Sequence, residues 1–312
     1  MKPTDRFSRS NRTLIPMGRF RNSIEIIKAS WRVLQQDREL IWLPVISLLS
    51  TAVTAALFLG GAWLTHTTDP VTGNVAMSAA SWVILGVMYL ALAFVTIFFN
   101  TALICAAWER LHGGDPTLGS ALDAATSRIG RILPWAVVSA TVSIIIRAVE
   151  QRAGIVGRVV GAVAGIAWSL VTFLVLPIIV VEGLGVGDAL KRAGELFKKT
   201  WGEQVIGNAA IGVVGTLGAM VAFPFVMLAL ATSSTVVIVP VVVIAIVWVL
   251  GLSAVTSAMS GIFQTALYQY ASTGEVPSGF TREQMVGAFR PKRGVLGGDG
   301  GTQTGVGTPP TV

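Results

Sequence analysis

The sequence predicts an all-α integral membrane protein with six transmembrane helices and three basic amphipathic helices lying at one membrane face. Three observations carry that expectation. Hydrophobic residues fill 53% of the 312 positions and charged residues only 12%, about half the charged share of an ordinary soluble domain. From Gln204 to Gly274, 71 consecutive residues contain no Asp, Glu, Lys, Arg or His. A bilayer core of about 30 Å is crossed by roughly 20 apolar helical residues, so this stretch alone holds two spans and a turn. Lys and Arg, finally, divide 20 to 3 between alternate connecting segments, the bias that marks cytoplasmic loops.

Residues 1–17 are polar and basic and read as a disordered segment, with Met17-Gly18 as a second candidate start. The first apolar run begins only at Ile41, too late for a cleavable secretory signal. The membrane domain occupies 18–273. It opens with an amphipathic stretch whose apolar face is Phe20, Ile24, Ile27, Trp31 and Leu34, at the three- and four-residue spacing of a helix lying in the interface. The spans Ile41–Leu64 and Trp82–Ala107 follow, separated by "THTTDPVTGN". After "ERLHGGDPTLGS" a second amphipathic face, Leu118, Leu122, Ala125 and Ile129, precedes the spans Ile132–Val149 and Val159–Val181. A third, Val186, Leu190, Ala193, Phe197 and Trp201, precedes the spans Val205–Ala231 and Val236–Tyr268.

This order suggests three units, each an interfacial helix followed by a membrane hairpin. Gly119-Ser-Ala-Leu122 and Gly187-Asp-Ala-Leu190 share a short signature, whereas the first unit matches in layout only. Indole rings favour the interface, and Trp42, Trp108, Trp135 and Trp201 fall at the basic boundaries while Trp63 and Trp82 fall at the opposite ones. Residues 274–293 form a short cytoplasmic helix region, in which Thr281 and Gln284 are spaced as a capping box. Residues 294–312, rich in Gly and Thr, read as a disordered tail.

The expected setting is the inner cell membrane, multi-pass, with both the N-terminus and the C-terminus cytoplasmic. The formal net charge of +7 sits in segments flanking apolar runs, so the expected partner is the bilayer's anionic headgroups at the inner face. A homo-oligomer or a membrane-protein partner is a further expectation. No nucleic-acid motif with interleaved aromatics is present, and nucleic acid is not expected to bind.

Asn100 lies nine residues before Glu109, on the order of 13 Å along a helix and so near the bilayer middle. It reads either as a clamp to a neighbouring helix, through an interhelical hydrogen bond of roughly 0.6–2 kcal/mol, or as a polar element lining a solute path. Asn208 reads as an interfacial residue. Arg147 and Glu150, spaced i to i+3, can pair on one helix at its outer end; they read either as snorkelling side chains or as an anion or headgroup site. Glu182 reads as a boundary carboxylate paired with Lys191 or Lys198, with proton coupling as the alternative. Gly157, Gly161 and Gly165 form a small-residue stripe that permits close helix approach, within the monomer or across a homodimer seam. Pro177 and Pro224 fall well inside spans and are candidate hinges or helix breaks.

Glu109, His112 and Asp115 invite a metal reading, because Glu-x-x-His can place two ligands on one helical face. Gly113-Gly114 and Pro116 end the helix there, so the segment reads instead as a helix exit, with Glu109 and Arg110 in water and Asp115 as a turn former. No metal, cofactor or catalytic residue is expected. The single cysteine, Cys105, reads as a packing residue. Phosphate-binding, nucleophile-elbow and zinc-protease motifs are missing from the sequence, and the protein is not expected to be an enzyme.

With "SWRVLQQDRELIWLPVISLL" (30–49), "FNTALICAAWERLHGGDPTLGSAL" (99–122) and "ALKRAGELFKKTWGEQVIGN" (189–208) in place, the chain resembles a prokaryotic family of multi-span membrane proteins classed as a domain of unknown function. The resemblance covers roughly residues 18 to 273, and Asp-Arg-Glu-Leu, Gly-Asp-Pro-Thr and Thr-Trp-Gly-Glu-Gln are its most specific parts. It implies an integral membrane protein and supplies no catalytic residues. The layout is also similar to the membrane domains of bacterial glycerophosphodiesterases, on architecture alone. The function expected is a non-enzymatic membrane-organising or transport-associated module. The alternative is a small-solute or lipid transporter with a polar path at Asn100 and an outer Arg147/Glu150 site.

Overall fold

The computed structural model describes residues 17–68, 75–152, 154–200, 207–232 and 234–289. The calls on residues 1–16 and on the tail from 290 onward lie outside these. Three helix-plus-hairpin units follow one another. The first is α1 (Met17–Gln36), a 3₁₀ turn (Arg38–Ile41), α2 (Trp42–Leu64) and α3 (Ala79–Leu111). The second is α4 (Leu118–Thr126), α5 (Ile129–Arg152) and α6 (Gly154–Val181). The third is α7 (Val186–Thr200), α8 (Gly207–Met220), α9 (Ala222–Ala231) and α10 (Thr235–Thr273), and α11 (Arg282–Phe289) closes the described chain. Six of the resulting spans are long and apolar enough to cross a bilayer. An all-α membrane protein of six spans is what the structure contains, joined by one small addition. The α2–α3 connection carries a two-residue antiparallel pair, β1 (Thr67–Thr68) against β2 (Val75–Ala76).

Why the fifth span is two helices follows from proline chemistry. Pro224 has no N–H to give the carbonyl one turn earlier, and the helix breaks at Val221. Inside the membrane the carbonyls loosened at such a break have no water to turn to. One of them, Gly218, accepts a 3.0 Å hydrogen bond from the Trp248 indole of α10. Trp248 therefore supplies a hydrogen bond as well as bulk.

α3 and α10 have 33 and 39 residues, or about 50 and 58 Å of helix, well beyond a hydrocarbon core of about 30 Å. Their excess length lies at the end that carries α1, α4 and α7, here termed the basic end. The core sits there. On α3 the buried run is Thr101 to Ala107 with Leu111, on α6 it is Leu174 to Val180, and on α10 it reaches from Ala254 to Gln269. Towards the opposite, distal end the chain exposes a ring of large apolar side chains, among them Leu57, Val163, Phe225 and Ile244, which a membrane protein leaves to lipid. The three hairpins thus meet one another chiefly at the basic end.

Small residues set the closest approaches. A Cβ at Gly261 of α10 would lie 2.4 Å from Leu103 of α3, and one at Gly215 of α8 would lie 2.9 Å from Thr256 of α10. The Gly157, Gly161 and Gly165 stripe is used in the same way within one hairpin. Gly161 faces the stem of Glu150 on α5 and Gly165 faces Ile146.

The amphipathic helices divide their apolar residues between the protein core and the outer surface. In α1 the buried residues are Ile26, Ala29, Ser30, Val33 and Leu34, whereas Ile24 and Trp31 of the expected face are exposed. Both faces of α1 are apolar, and packing chose the one carrying Ala29 and Ser30, whose small size lets α10 come near. In α4 and α7 the expected stripes are largely right: Ala125 and Ala193 are buried, and Leu118, Leu122, Val186 and Leu190 pack against the core. Trp201 and the side chain of Phe197 lie outside the described residues.

The α3–α10 contact yields a direct test. Gly261→Val should lower stability by about 1–3 kcal/mol, the usual range for overpacking, in equilibrium unfolding from mixed micelles. Gly251→Val on the same helix, where an added Cβ meets nothing within 4 Å, should leave the transition within error of the parent.

Candidate functional site

Asn100 of α3 projects among helices that offer it no partner: no described residue forms a hydrogen bond with its amide. It lines two adjoining cavities instead. One, of about 240 Å³, lies between α2, α3 and α10 and is bounded by Ser47, Thr51, Thr96, Asn100, Ser253 and Ser257 together with apolar neighbours. The other, of about 340 Å³, lies between α3, α8 and α10 and is bounded by Asn100, Ser253, Thr256, Ser257, Ser260 and Gln264 with Gly212 and Gly261. Asn100, Ser253 and Ser257 belong to both, so the two cavities adjoin at Asn100 and are together termed the cleft. Among the described residues, no neighbouring helix supplies the Asn100 amide with a hydrogen-bond partner.

Helical periodicity assembles this lining. Ser253, Thr256, Ser257, Ser260 and Gln264 recur at three and four residues along α10 and so form a single polar stripe. The sequence shows the small residues of that stripe, but their role is cleft wall as well as packing surface. Gln264 went unrecognised, although a signal existed. Pro177 removes an N–H from α6 and leaves the Phe173 carbonyl without its helical partner. The Gln264 amide donates to that carbonyl. One side chain thereby walls the cleft and repairs α6, which runs through Pro177 unbroken.

At the basic end of the cleft stands a second polar group. Glu182 accepts a 2.9 Å hydrogen bond from the Tyr268 hydroxyl of α10 and pairs with Arg192 of α7 at 3.3 Å. The expected partners were Lys191 or Lys198. Lys191 instead lies 3.8 Å from Asp188 on its own helix, and the Lys198 side chain lies outside the described residues. Arg192 is one residue beyond Lys191, about 100° further round α7, on the side that meets the α6 end. Arg128 reinforces the same corner by donating to the Val180 carbonyl at 3.1 Å and the Ala124 carbonyl at 2.7 Å. These are the end carbonyls that a helix cannot satisfy by itself.

Arg110 corrects another expectation. Rather than extending into water, it forks onto the buried carboxylate of Asp37 with two nitrogens and reaches Asp115 at 2.7 Å. Asp37 opens the Asp-Arg-Glu-Leu stretch and Asp115 belongs to Gly-Asp-Pro-Thr, so the arginine joins two of the most distinctive motifs. Asp115 does serve the turn that Gly113 makes possible with its φ of 84°. His112 stacks on Trp108 with ring centroids 4.2 Å apart and bonds to the Trp108 carbonyl, a helix-end arrangement rather than a ligand array.

Arg147 and Glu150 stand at the distal end of α5, far from this cleft along the helix. They make no ion pair with each other among the described residues. Arg147 is exposed and the Glu150 stem lies over Gly161. Asn208 lies in the first turn of α8, with its side chain outside the described residues.

Compared with known families, residues 79–280 match a family described as being of unknown function (DUF6159). The match runs from the first residue of α3 to Phe280, so α1 and α2, with Asp37, precede it. No curated protein and no solved structure matches the chain.

The Asp37–Arg110 fork separates partner loss from pair loss. Arg110→Met alone should destabilise strongly, towards the about 3–5 kcal/mol seen when a buried charge loses its partner. The double variant Asp37→Leu/Arg110→Met should recover much of that loss. Asp115→Ala, whose carboxylate is 92% exposed, should cost only about 0–1 kcal/mol on the same unfolding scale.

Proposed function

The chain belongs to a family of unknown function (DUF6159), and we propose that within it this protein is a non-enzymatic polytopic membrane protein whose spans admit a small solute to the cleft at Asn100. The single observation supporting this is an asparagine within a span that has no hydrogen-bond partner among the described residues and faces a cleft walled by hydroxyls and an amide. In a bilayer such a side chain is stabilised by finding a partner. Here the partner positions are left to whatever enters. The 20-to-3 division of basic residues supports an inner-membrane orientation with both termini cytoplasmic, and with it a cleft that opens in the cytoplasmic half.

A second reading, a module that organises the membrane surface, draws on one specific observation. Ile24 and Trp31 of α1 are exposed beside Lys28 and Arg32, a pattern suited to anionic headgroups at the inner face. The two readings are compatible: the surface helices anchor a core that holds the cleft. The glycine stripe is spent inside the α5–α6 hairpin, so it does not support a homodimer seam. Arg147 and Glu150 are not assigned to the path.

A water-accessible cleft has a chemical signature. In a Cys105→Ala background, Ser257→Cys should react with a membrane-impermeant maleimide applied from the cytoplasmic side, whereas Val247→Cys, on the exposed distal part of α10, should not. Equal silence at both positions would remove the reading. A reporter fused after Val312 should be active in the cytoplasm, and activity on the far side would reverse the orientation.

A further inference from the structure

The hydrogen-bonding capacity left over in the cleft is countable, and it has a definite chemical character. Thr96 and Thr256 have given their hydroxyl protons to the carbonyls of Leu92 and Leu252, at 2.9 Å each. Towards the cleft they present lone pairs only. Gln264 has committed its amide nitrogen to Phe173, which leaves chiefly its carbonyl oxygen. The hydroxyls of Ser47, Thr51, Ser253, Ser257 and Ser260 make no hydrogen bond with a described residue, and each can donate or accept. Asn100 adds a two-donor, two-acceptor amide at the centre.

Among the described residues, no ionisable side chain lines either cavity. Two charged groups at the basic end are already engaged: Glu182 holds Arg192 and Tyr268, and Arg110 holds Asp37 and Asp115. An ion carried to Asn100 would leave its water behind and meet no opposite charge. That exchange is strongly unfavourable in a medium of low dielectric constant. A neutral molecule carrying several donors and acceptors loses far less, because closely spaced hydroxyls and an amide replace its water partners.

Size agrees with chemistry. Cavities of about 240 and 340 Å³ each exceed several times the roughly 30 Å³ share of one water, and suit a molecule of a few heavy atoms with its residual water. Elsewhere the chain offers a contrast. The cavity between α8, α9 and α10, lined by Val221, Phe225, Ile244 and Trp248 among others, exposes no polar surface. It suits hydrocarbon and gives a polar solute nothing to hold.

We propose that the cleft takes a small uncharged hydrogen-bonding solute of the polyol or urea class, with Asn100 as its central contact. This rests on the solute-path reading above and narrows it to a ligand chemistry. It also makes Asn100 and the serines of α10 the residues that decide selectivity.

The experiment is permeation into proteoliposomes of the full chain, followed by stopped-flow light scattering with glycerol and urea and by ion-sensitive dye for potassium and chloride. The expected result is glycerol or urea entry above that of empty liposomes, with ion entry unchanged. Asn100→Leu should lower that entry roughly tenfold, the factor that one lost hydrogen bond in a dry site is worth. Phe225→Ala, at the apolar cavity, should leave it at the parent rate. Each variant is first shown to elute as the parent does in size-exclusion chromatography, so a folding failure is not scored as a loss. Ion entry without glycerol or urea entry would overturn the ligand class and leave the path reading standing. No entry of either kind, with Ser257→Cys still reactive, would overturn the proposal. No entry together with a silent Ser257→Cys would overturn the path reading itself.

Discussion

Hydrocarbon supplies no hydrogen-bond partner, and that single constraint decides where this chain's polar groups can sit. Two irregularities in the spans and two helix ends are met by a side-chain donor from another segment of the chain. Pro177 releases the Phe173 carbonyl and Gln264 takes it. The break before Pro224 loosens Gly218 and Trp248 takes it. At the α6 end Arg128 takes Val180. At the distal end of the first hairpin the Ser81 hydroxyl gives its proton to the Ala62 carbonyl. These donors tie hairpin to hairpin or helix to helix, so satisfying the backbone and building the tertiary structure are one process. Asn100 stands apart because, among the described residues, it is spent on neither.

Packing follows the same geometry. Lipid is as apolar as the span surfaces, so large side chains gain little by turning inward, and close contact between helices falls to small residues. Gly261 against Leu103 and Gly215 against Thr256 bring α10 close to α3 and α8. The hydroxyl-bearing residues on the same stripe then have space beside them that the larger neighbours cannot fill. The cleft is thus a by-product of the spacing that lets the helices approach. Its position towards the basic end reflects where the hairpins converge.

Much of this architecture is legible in the chain. Six spans are readable because length and apolarity alone determine them, and three hairpins because each is preceded by an amphipathic stretch. The Thr281–Gln284 capping box is readable too: both reciprocal bonds form, at 3.0 and 3.3 Å. What escapes the sequence is pairing at long range. Arg110 looks like a solvated helix-end charge until Asp37, 73 positions earlier, is folded against it. Gln264 looks like one polar residue among many until Pro177 is beside it. Glu182 pairs with Arg192 and not with Lys191 because the α6–α7 turn fixes distance, which composition does not encode. In α1 both sides are apolar: Leu34 of the expected face and its neighbours Ala29 and Val33 pack inward, while Ile24 and Trp31 stay on the surface. Asn100 was found from its depth alone, yet its freedom from protein partners depends on side chains of four other elements.

The last described helix rests on the first. Met285 is fully buried, Gln284 reaches the Glu25 carbonyl at 3.5 Å, and Gly279 lies against Val33 of α1. A ribosome delivers these two partners at opposite ends of its work. Until residues near 285 emerge, the seat on α1 is vacant and available to chaperones or to lipid. The α1–α11 contact therefore forms only after every span between them has been made, and it closes the described chain on itself.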